Sequence, residues 1–227
     1  MKSICLVGGE DVHKRIALSK YLINAGFDVT IIGTSTHKFP ENIKYITYNL
    51  NRSFSPISDY KTVKWYQHFF SKNTFDIIHT FDTKPGFLLP YALRKTKTPI
   101  TRTITGLGTI FMTNSFFSFF LRRVYMHIHY KVRNRVSNTV FQNNEDKNIY
   151  QSKKLINHNN HSLIYSSGIE LKEINQKAKR EGNPFTFICV ARLVYEKGIV
   201  NFLEAARVCK EKGYNFKYLV VGPLEVN

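Results

Sequence analysis

Apolar positions along this chain fall into short runs separated by longer stretches of helical period. Ser3–Val7 reads as a short buried strand and Gly8-Gly9-Glu10-Asp11 as a turn. Val12–Ala25 reads as a helix with Ile16, Leu22 and Ile23 inward, and Gly26 ends it as a C-terminal cap. Strands follow at Asp28–Gly33, Ile43–Tyr48, Asp76–His79 and Ile100–Thr103, with helices at Asp59–Lys72 and Pro85–Lys95. Further on come a strand at Thr139–Gln142, a helix at Glu145–Gln151 and a strand at Ser162–Tyr165 that runs into Ser166-Ser167-Gly168. Strands alternating with helices at this spacing predict an α/β fold, a parallel sheet with helices on both faces.

The stretch Ser115–Ser137 predicts a long basic amphipathic helix. Phe116, Phe120, Val124, Ile128, Val132 and Val136 recur every four residues, with Arg122, Arg123, Lys131, Arg133 and Arg135 between them. Three uses fit this pattern: a core helix with a solvated basic face, docking on an anionic membrane surface, or nucleic-acid binding. The aromatic residues cluster at Phe116–Phe120 rather than spreading over a sheet as a base-stacking platform, which disfavours nucleic acid.

Residues Lys172–Pro184 are polar and read as a linker. A second strand–helix–strand unit then begins, with strands Phe185–Val190 and Phe216–Val221 and a helix Ile199–Lys212. Ile199, Phe202, Leu203, Ala206 and Cys209 form its expected sheet-covering face. The expected organisation is one Rossmann-like domain over 1–170, a linker over 171–184, and the opening βαβ unit of a second such domain over 185–227.

Composition narrows the picture. An apolar fraction of 43% in 227 residues is enough for a real core. A formal net charge of +17 points to an anionic partner or to surface bias. Cys5, Cys189 and Cys209 have no metal-ligand spacing, and their odd count gives no disulfide framework, which fits a reducing cytoplasm. His79, His127, His129 and His158 are not spaced for a metal, since residues two apart on a helix face different directions. No apolar stretch approaches the roughly 18 residues of a membrane span, so the protein is expected to be soluble, or attached to a membrane only at its surface.

The sharpest chemistry lies in Phe187-Ile-Cys-Val-Ala-Arg192-Leu-Val-Tyr-Glu-Lys197-Gly198. An apolar run stops at an arginine, and a lysine and a glycine then open an amphipathic helix. Two fixed cations beside a helix N-terminus, where free N–H groups and the dipole already favour an anion, predict a diphosphate ligand. The plainer alternative is two surface residues at a strand–helix turn.

Together with Phe202-Leu-Glu-Ala-Ala206 and Tyr218-Leu-Val-Val-Gly222, that segment resembles the opening of the donor domain of family-4 retaining glycosyltransferases, which have the two-Rossmann GT-B fold. Gly8-Gly9 with His13 and Arg15, Asp76-Ile-Ile-His79-Thr-Phe-Asp-Thr-Lys84-Pro-Gly86, Thr105-Gly106-Leu107-Gly108 and Ser167-Gly168-Ile169 extend the resemblance over nearly the whole chain. The similar subgroup builds bacterial surface polysaccharides and glycans on undecaprenyl-diphosphate carriers.

The resemblance implies roles for matching residues. Arg192 and Lys197 would hold the donor diphosphate together with Gly8 and Gly9, which would let the backbone approach the donor and acceptor. Arg15, Lys84, Thr105, Gly106 and Gly108 would line the acceptor side of the cleft. The implied partners are a nucleotide-sugar donor, as substrate with no further cofactor or metal, and an undecaprenyl-diphosphate-linked acceptor at the cytoplasmic membrane face; nucleic acid is not expected. No catalytic residue is identified. Thr105 stands where many members carry a histidine, and a threonine is no general acid or base at neutral pH. The family's later Glu-x7-Glu element would lie beyond Asn227, so the expectation is a truncated form with little transferase activity by itself. A non-catalytic module that binds membrane or a partner is the rival expectation.

Overall fold

The computed structural model describes residues 1–108, 111, 115–157, 159–166, 168 and 184–223. Ile169, His158 and the linker residues 172–183 therefore lie outside the described residues. The chain divides into two compact units, Met1–Leu171 and Lys172–Asn227.

The first unit is built on seven strands: β1 (Ser3–Val7), β2 (Asp28–Gly33), β3 (Lys44–Thr47), β4 (Ile77–Thr80), β5 (Ile100–Ile104), β6 (Asn138–Phe141) and β7 (His161–Leu163). Their order across the sheet is β3-β2-β1-β4-β5-β6-β7, and every neighbouring pair is parallel. Among the described residues this unit has five α-helices: α1 (Ile16–Asn24), α2 (Pro56–Lys72), α3 (Pro85–Ala92), α4 (Phe116–Val132) and α5 (Asn144–Ser152). This is the expected α/β architecture.

Side-chain alternation on β1 divides the core. Cys5 and Val7 join Tyr66 of α2 and Leu88 and Leu89 of α3 on one face, while Ile4 and Leu6 join Val12 and Phe81 on the other, with Ile16, Leu22 and Ile23 of α1 packed against them. A third cluster, between α4 and α5, contains Ile104, Tyr125, Phe141 and Tyr150. Local chemistry sets the helix starts. Ser55 precedes Pro56 at the first position of α2. The Ser118 amide donates to Ser115 Oγ at 3.0 Å ahead of α4, and the Asp146 amide to Asn143 Oδ1 at 2.7 Å ahead of α5.

Two expectations need correction. The first helix begins as a tighter 3-10 helix, Glu10–Arg15, which seats Val12 against Gly8 and Gly33 before α1 starts. The long basic helix ends at Val132, and Phe116 and Phe120 face outward, 90% and 55% exposed. A strict four-residue repeat drifts around an α-helix by about 40° per step, so it cannot stay on one face. Of the expected face, Val132 and Val136 are buried and Val124 and Ile128 half-buried, and Ser118, Tyr125 and His129 complete the buried set of α4. Arg133 and Arg135 are not free basic residues either. Arg133 donates to the Lys154 carbonyl, and Arg135 to the carbonyls of Leu93 and Thr98 and the Thr96 hydroxyl.

The second unit consists of parallel strands β8 (Thr186–Val190) and β9 (Lys217–Val221) joined through α6 (Ile199–Glu211). None of its described residues, 184–223, is buried. Ile199, Phe202, Ala206 and Cys209 are half-buried, but Leu203, expected on the same face, is 53% exposed. Two strands are too narrow to cover a whole helical stripe.

Deepest in the first unit lies Arg102 on β5, fully buried. Its Nε donates to Thr139 Oγ1 at 3.1 Å, one terminal nitrogen to the Gly86 carbonyl at 3.4 Å and to His129 Nδ1 at 2.8 Å, and the other to the Leu155 carbonyl at 3.0 Å. The guanidinium also lies 5.5 Å from the Tyr150 ring centroid. Because Nδ1 of His129 accepts, that imidazole is neutral, and burial followed by the Arg102 charge pushes its pKa well below the ordinary value. Arg102→Ala leaves a void and several orphaned acceptors and is expected to cost about 3–5 kcal/mol. Arg102→Lys should recover little, because an ammonium cannot reproduce the planar fork. Urea unfolding monitored by far-ultraviolet circular dichroism measures both; a loss below about 1 kcal/mol in Arg102→Ala would contradict this role.

Candidate functional site

In the first unit the strand order reverses between β1 and β4, which places a crevice outside the carboxyl ends of those strands. A cleft of about 220 Å³ lies there, bordered by Gly9, Asp82, Thr83, Lys84 and Thr105, with Glu10 and Arg52 at its rim. Gly9 follows β1, Asp82–Lys84 follow β4 and Thr105 follows β5, so three adjacent strand ends supply its floor.

The glycines serve close packing. A Cβ on Gly8 would sit 3.0 Å from Val12 Cγ2, and one on Gly9 would sit 3.4 Å from Asp82 Oδ2. The Gly8 amide donates to the Ile32 carbonyl at 2.9 Å, and its carbonyl accepts from the Tyr48 hydroxyl at 3.0 Å. The Gly9 amide donates to Asp82 Oδ2 at 2.9 Å. Asp82 holds that position with a left-handed backbone, φ 69°, a conformation uncommon for a residue with a side chain. A carboxylate thus already occupies the amide that the family resemblance assigns to the donor.

Lys84 stands at the start of α3, its side chain only 14% exposed. Its Nζ meets Asp59 Oδ1 at 2.6 Å and donates to the Ser53 carbonyl at 2.7 Å. At the rim, Arg52 pairs with Glu10 at 2.7 Å. The remaining sequence-assigned residues fall on three different surfaces. Thr105 is exposed in the cleft, and the Gly106 carbonyl accepts from the Thr83 hydroxyl at 3.4 Å. Gly108, at φ 80°, borders a second groove between α3 and α4. Arg15 lies apart, bordering a 730 Å³ groove over Ile4, Leu6, His79 and Thr103.

In that groove the Arg15 guanidinium stacks 4.7 Å from the Phe81 ring. Burial lowers the Arg15 pKa, and Asp82 and Asp11 oppose the shift. The His79 ring stacks on Phe81 at 4.3 Å and its Nε2 meets Thr103 Oγ1 at 2.8 Å. Burial, then the Arg15 charge, brings the His79 pKa down to about 4.

In the second unit, Arg192 and Lys197 are exposed on the loop joining β8 to α6. Gly198 caps the 13-residue α6 at φ 72°, where a Cβ would be strained. The loop is fixed from β9: Ala191 donates to the Val221 carbonyl and Leu193 to the Pro223 carbonyl, both at 3.0 Å. A Cβ on Gly222 would come within 1.7 Å of the Ala191 carbonyl oxygen, so only glycine permits this approach.

Sequence reasoning missed Asp82, Asp59, Glu10 and Arg52. Asp82 lay inside the quoted Asp76–Gly86 segment, but its left-handed backbone has no compositional sign. Arg52 reaches the cleft, and Asp59 its Lys84, from segments remote in sequence.

Two family models match the chain: one described as Glycosyl transferase 4-like over residues 3–144, the other as Glycosyl transferases group 1 over residues 170–227. No curated protein matches. Among solved structures, a lipopolysaccharide outer core galactosyltransferase, WaaB, is 12% identical with a TM-score of 0.60 and matches 96% of this chain and 68% of its own. Sucrose-phosphate synthase from Thermosynechococcus elongatus is 16% identical with a TM-score of 0.74, over 99% of this chain and 63% of its own. A glycosyltransferase from Rickettsia africae is 20% identical with a TM-score of 0.64, over 97% and 60%. The chain therefore spans about two thirds of the length of the structures it matches. At these identities the likeness concerns the fold.

His79 generates a pH prediction. Its folded pKa near 4 lies below the ordinary 6.5, so unfolding takes up a proton between those values. Its contribution to stability is full above about 6.5 and is lost as pH falls toward about 4. His129 acts in the same direction but is common to parent and variant, so it cancels in a comparison. The melting-temperature difference between parent and His79→Gln should shrink steadily as the pH is lowered through this window. A difference that stays constant would show that His79 does not titrate as described.

Proposed function

Since the chain belongs to the Glycosyl transferase 4-like family, we propose that it serves in the transfer of a sugar from a nucleotide-diphosphate donor to a lipid-linked glycan, with retention at the anomeric carbon. The observation that carries this reading is the loop between β8 and α6. It presents Arg192 and Lys197 beside the N-terminus of a 13-residue helix whose Gly198 cap has no side chain. As the bond to the sugar breaks, negative charge grows on the leaving diphosphate. Arg192 can fork onto two phosphate oxygens and Lys197 adds a point charge.

The cleft of the first unit supplies the acceptor side. Its carboxylates, Asp82 and Glu10, suit the hydroxyl donors of a sugar. The similarity to a protein named as a lipopolysaccharide outer core galactosyltransferase supports a bacterial surface glycan as product, and a hexosyl or N-acetylhexosaminyl group as cargo. Among the described residues no helix is long and apolar enough to cross a membrane. Membrane contact is assigned to the start of α4, where Phe116, Phe117, Phe119 and Phe120 are exposed next to Arg122 and Arg123. The position proposed is peripheral, at the inner face of the cell membrane, supported by that exposed aromatic and basic surface.

Transfer is tested with the natural polypeptide that carries these residues, a panel of radiolabelled nucleotide-diphosphate sugars, and a membrane extract. Label should enter the organic-soluble fraction for at least one donor, and Arg192→Ala should lower the rate by about 10²–10³-fold. Absence of labelled lipid with every donor would sink the reading.

Membrane contact is tested by co-sedimentation with vesicles containing acidic lipids. Arg122→Gln with Arg123→Gln should weaken binding about thirtyfold, from about 1 kcal/mol per charge. Serine at the four exposed phenylalanines should abolish it. Full binding by the serine variant would move the contact away from α4.

A further inference from the structure

A groove of about 460 Å³ runs between α3 and α4, a volume within the about 300–1,000 Å³ of small-molecule sites. Phe87 and Leu88 of α3 and Leu121, Val124 and Ile128 of α4 form its apolar wall. Two contacts tie together the helices that border it. Arg102 bonds both the Gly86 carbonyl of α3 and His129 of α4, fixing the inner end. The Lys84–Asp59 pair, 2.6 Å, fixes the start of α3 against α2.

The two ends of the groove differ in chemistry. At one end Arg52, Thr83 and Lys84 line both the groove and the cleft that carries Asp82 and Glu10. At the other, Leu121 directly follows the exposed Phe116–Phe120. The groove thus joins a hydrocarbon-seeking surface to a polar cleft. Each of the shared cations already holds a carboxylate, Glu10 for Arg52 and Asp59 for Lys84, so the junction is nearly neutral.

We propose that this groove binds the hydrocarbon chain of the acceptor, with the acceptor's sugar head in the adjoining cleft. The assignment rests on the acceptor-side reading of that cleft. It makes the acceptor an amphiphile selected by chain length as well as by sugar, and it makes Leu121 and Val124 specificity-determining residues.

The test is calorimetric titration of the chain with n-alkyl glucosides of increasing length, each below its micelle concentration. Affinity should rise about fourfold per methylene and level off once the groove is filled. Leu121→Trp and Val124→Trp, which fill the groove, should move the levelling point to shorter chains. Affinity independent of chain length, a rise without any plateau, or tryptophan variants indistinguishable from the parent would each overturn the proposal. The parent's own profile needs no variant, so it decides the matter even where a tryptophan variant fails to fold. A plateau shifted by the variants, with no sugar transfer in the assay above, would keep the groove and remove the transferase reading. Transfer at equal rates to short- and long-chain acceptors would remove the groove and keep the transferase.

Discussion

A single buried cation organises the first unit. Arg102 has no carboxylate among its bonded partners; a hydroxyl, two carbonyls and a neutral imidazole share its charge instead. Burying a charge this way costs several kcal/mol unless each donor is met, so the arrangement tolerates little displacement. Its partners belong to β6, α3, α4 and the segment after α5. Whatever fixes Arg102 therefore fixes the starts of the loops that frame the cleft, including the one carrying Lys84.

That constraint was invisible in the sequence. Arg102 sits in Thr101-Arg102-Thr103-Ile104, where a lone arginine in a strand reads as an edge or surface position. What was legible is what period and punctuation encode: β1, β2 and β9 within a residue of their observed limits, and Gly26 and Gly198 at helix boundaries. The parallel direction of the strands follows from alternation, whereas their order across the sheet comes from the structure. The failures come from long-range contacts. A four-residue repeat on α4 looked like one face, yet tertiary packing chose Tyr125 and His129 and left four phenylalanines outside. Arg15 and Lys84, assigned to one cleft by family pattern, line different cavities because the sheet's two faces separate them.

Charge is distributed against the grain of the composition. The chain carries +17 overall, yet the cleft of the first unit gathers Glu10, Asp82 and, one bond away, Asp59 around Arg52 and Lys84. Locally the acids outnumber the bases. An anionic molecule is drawn toward the protein at long range but finds no excess positive charge at this point. Hydroxyl-rich groups suit such a surface, whereas the exposed Arg192–Lys197 loop of the second unit presents two cations.

The contact between Gly222 and Ala191 has a consequence for assembly. The loop bearing Arg192 is tied to its neighbouring strand end through the carbonyls of Val221 and Pro223. Those residues leave the ribosome well after the loop itself. That loop consequently acquires its shape late in synthesis, after β9 has docked beside β8.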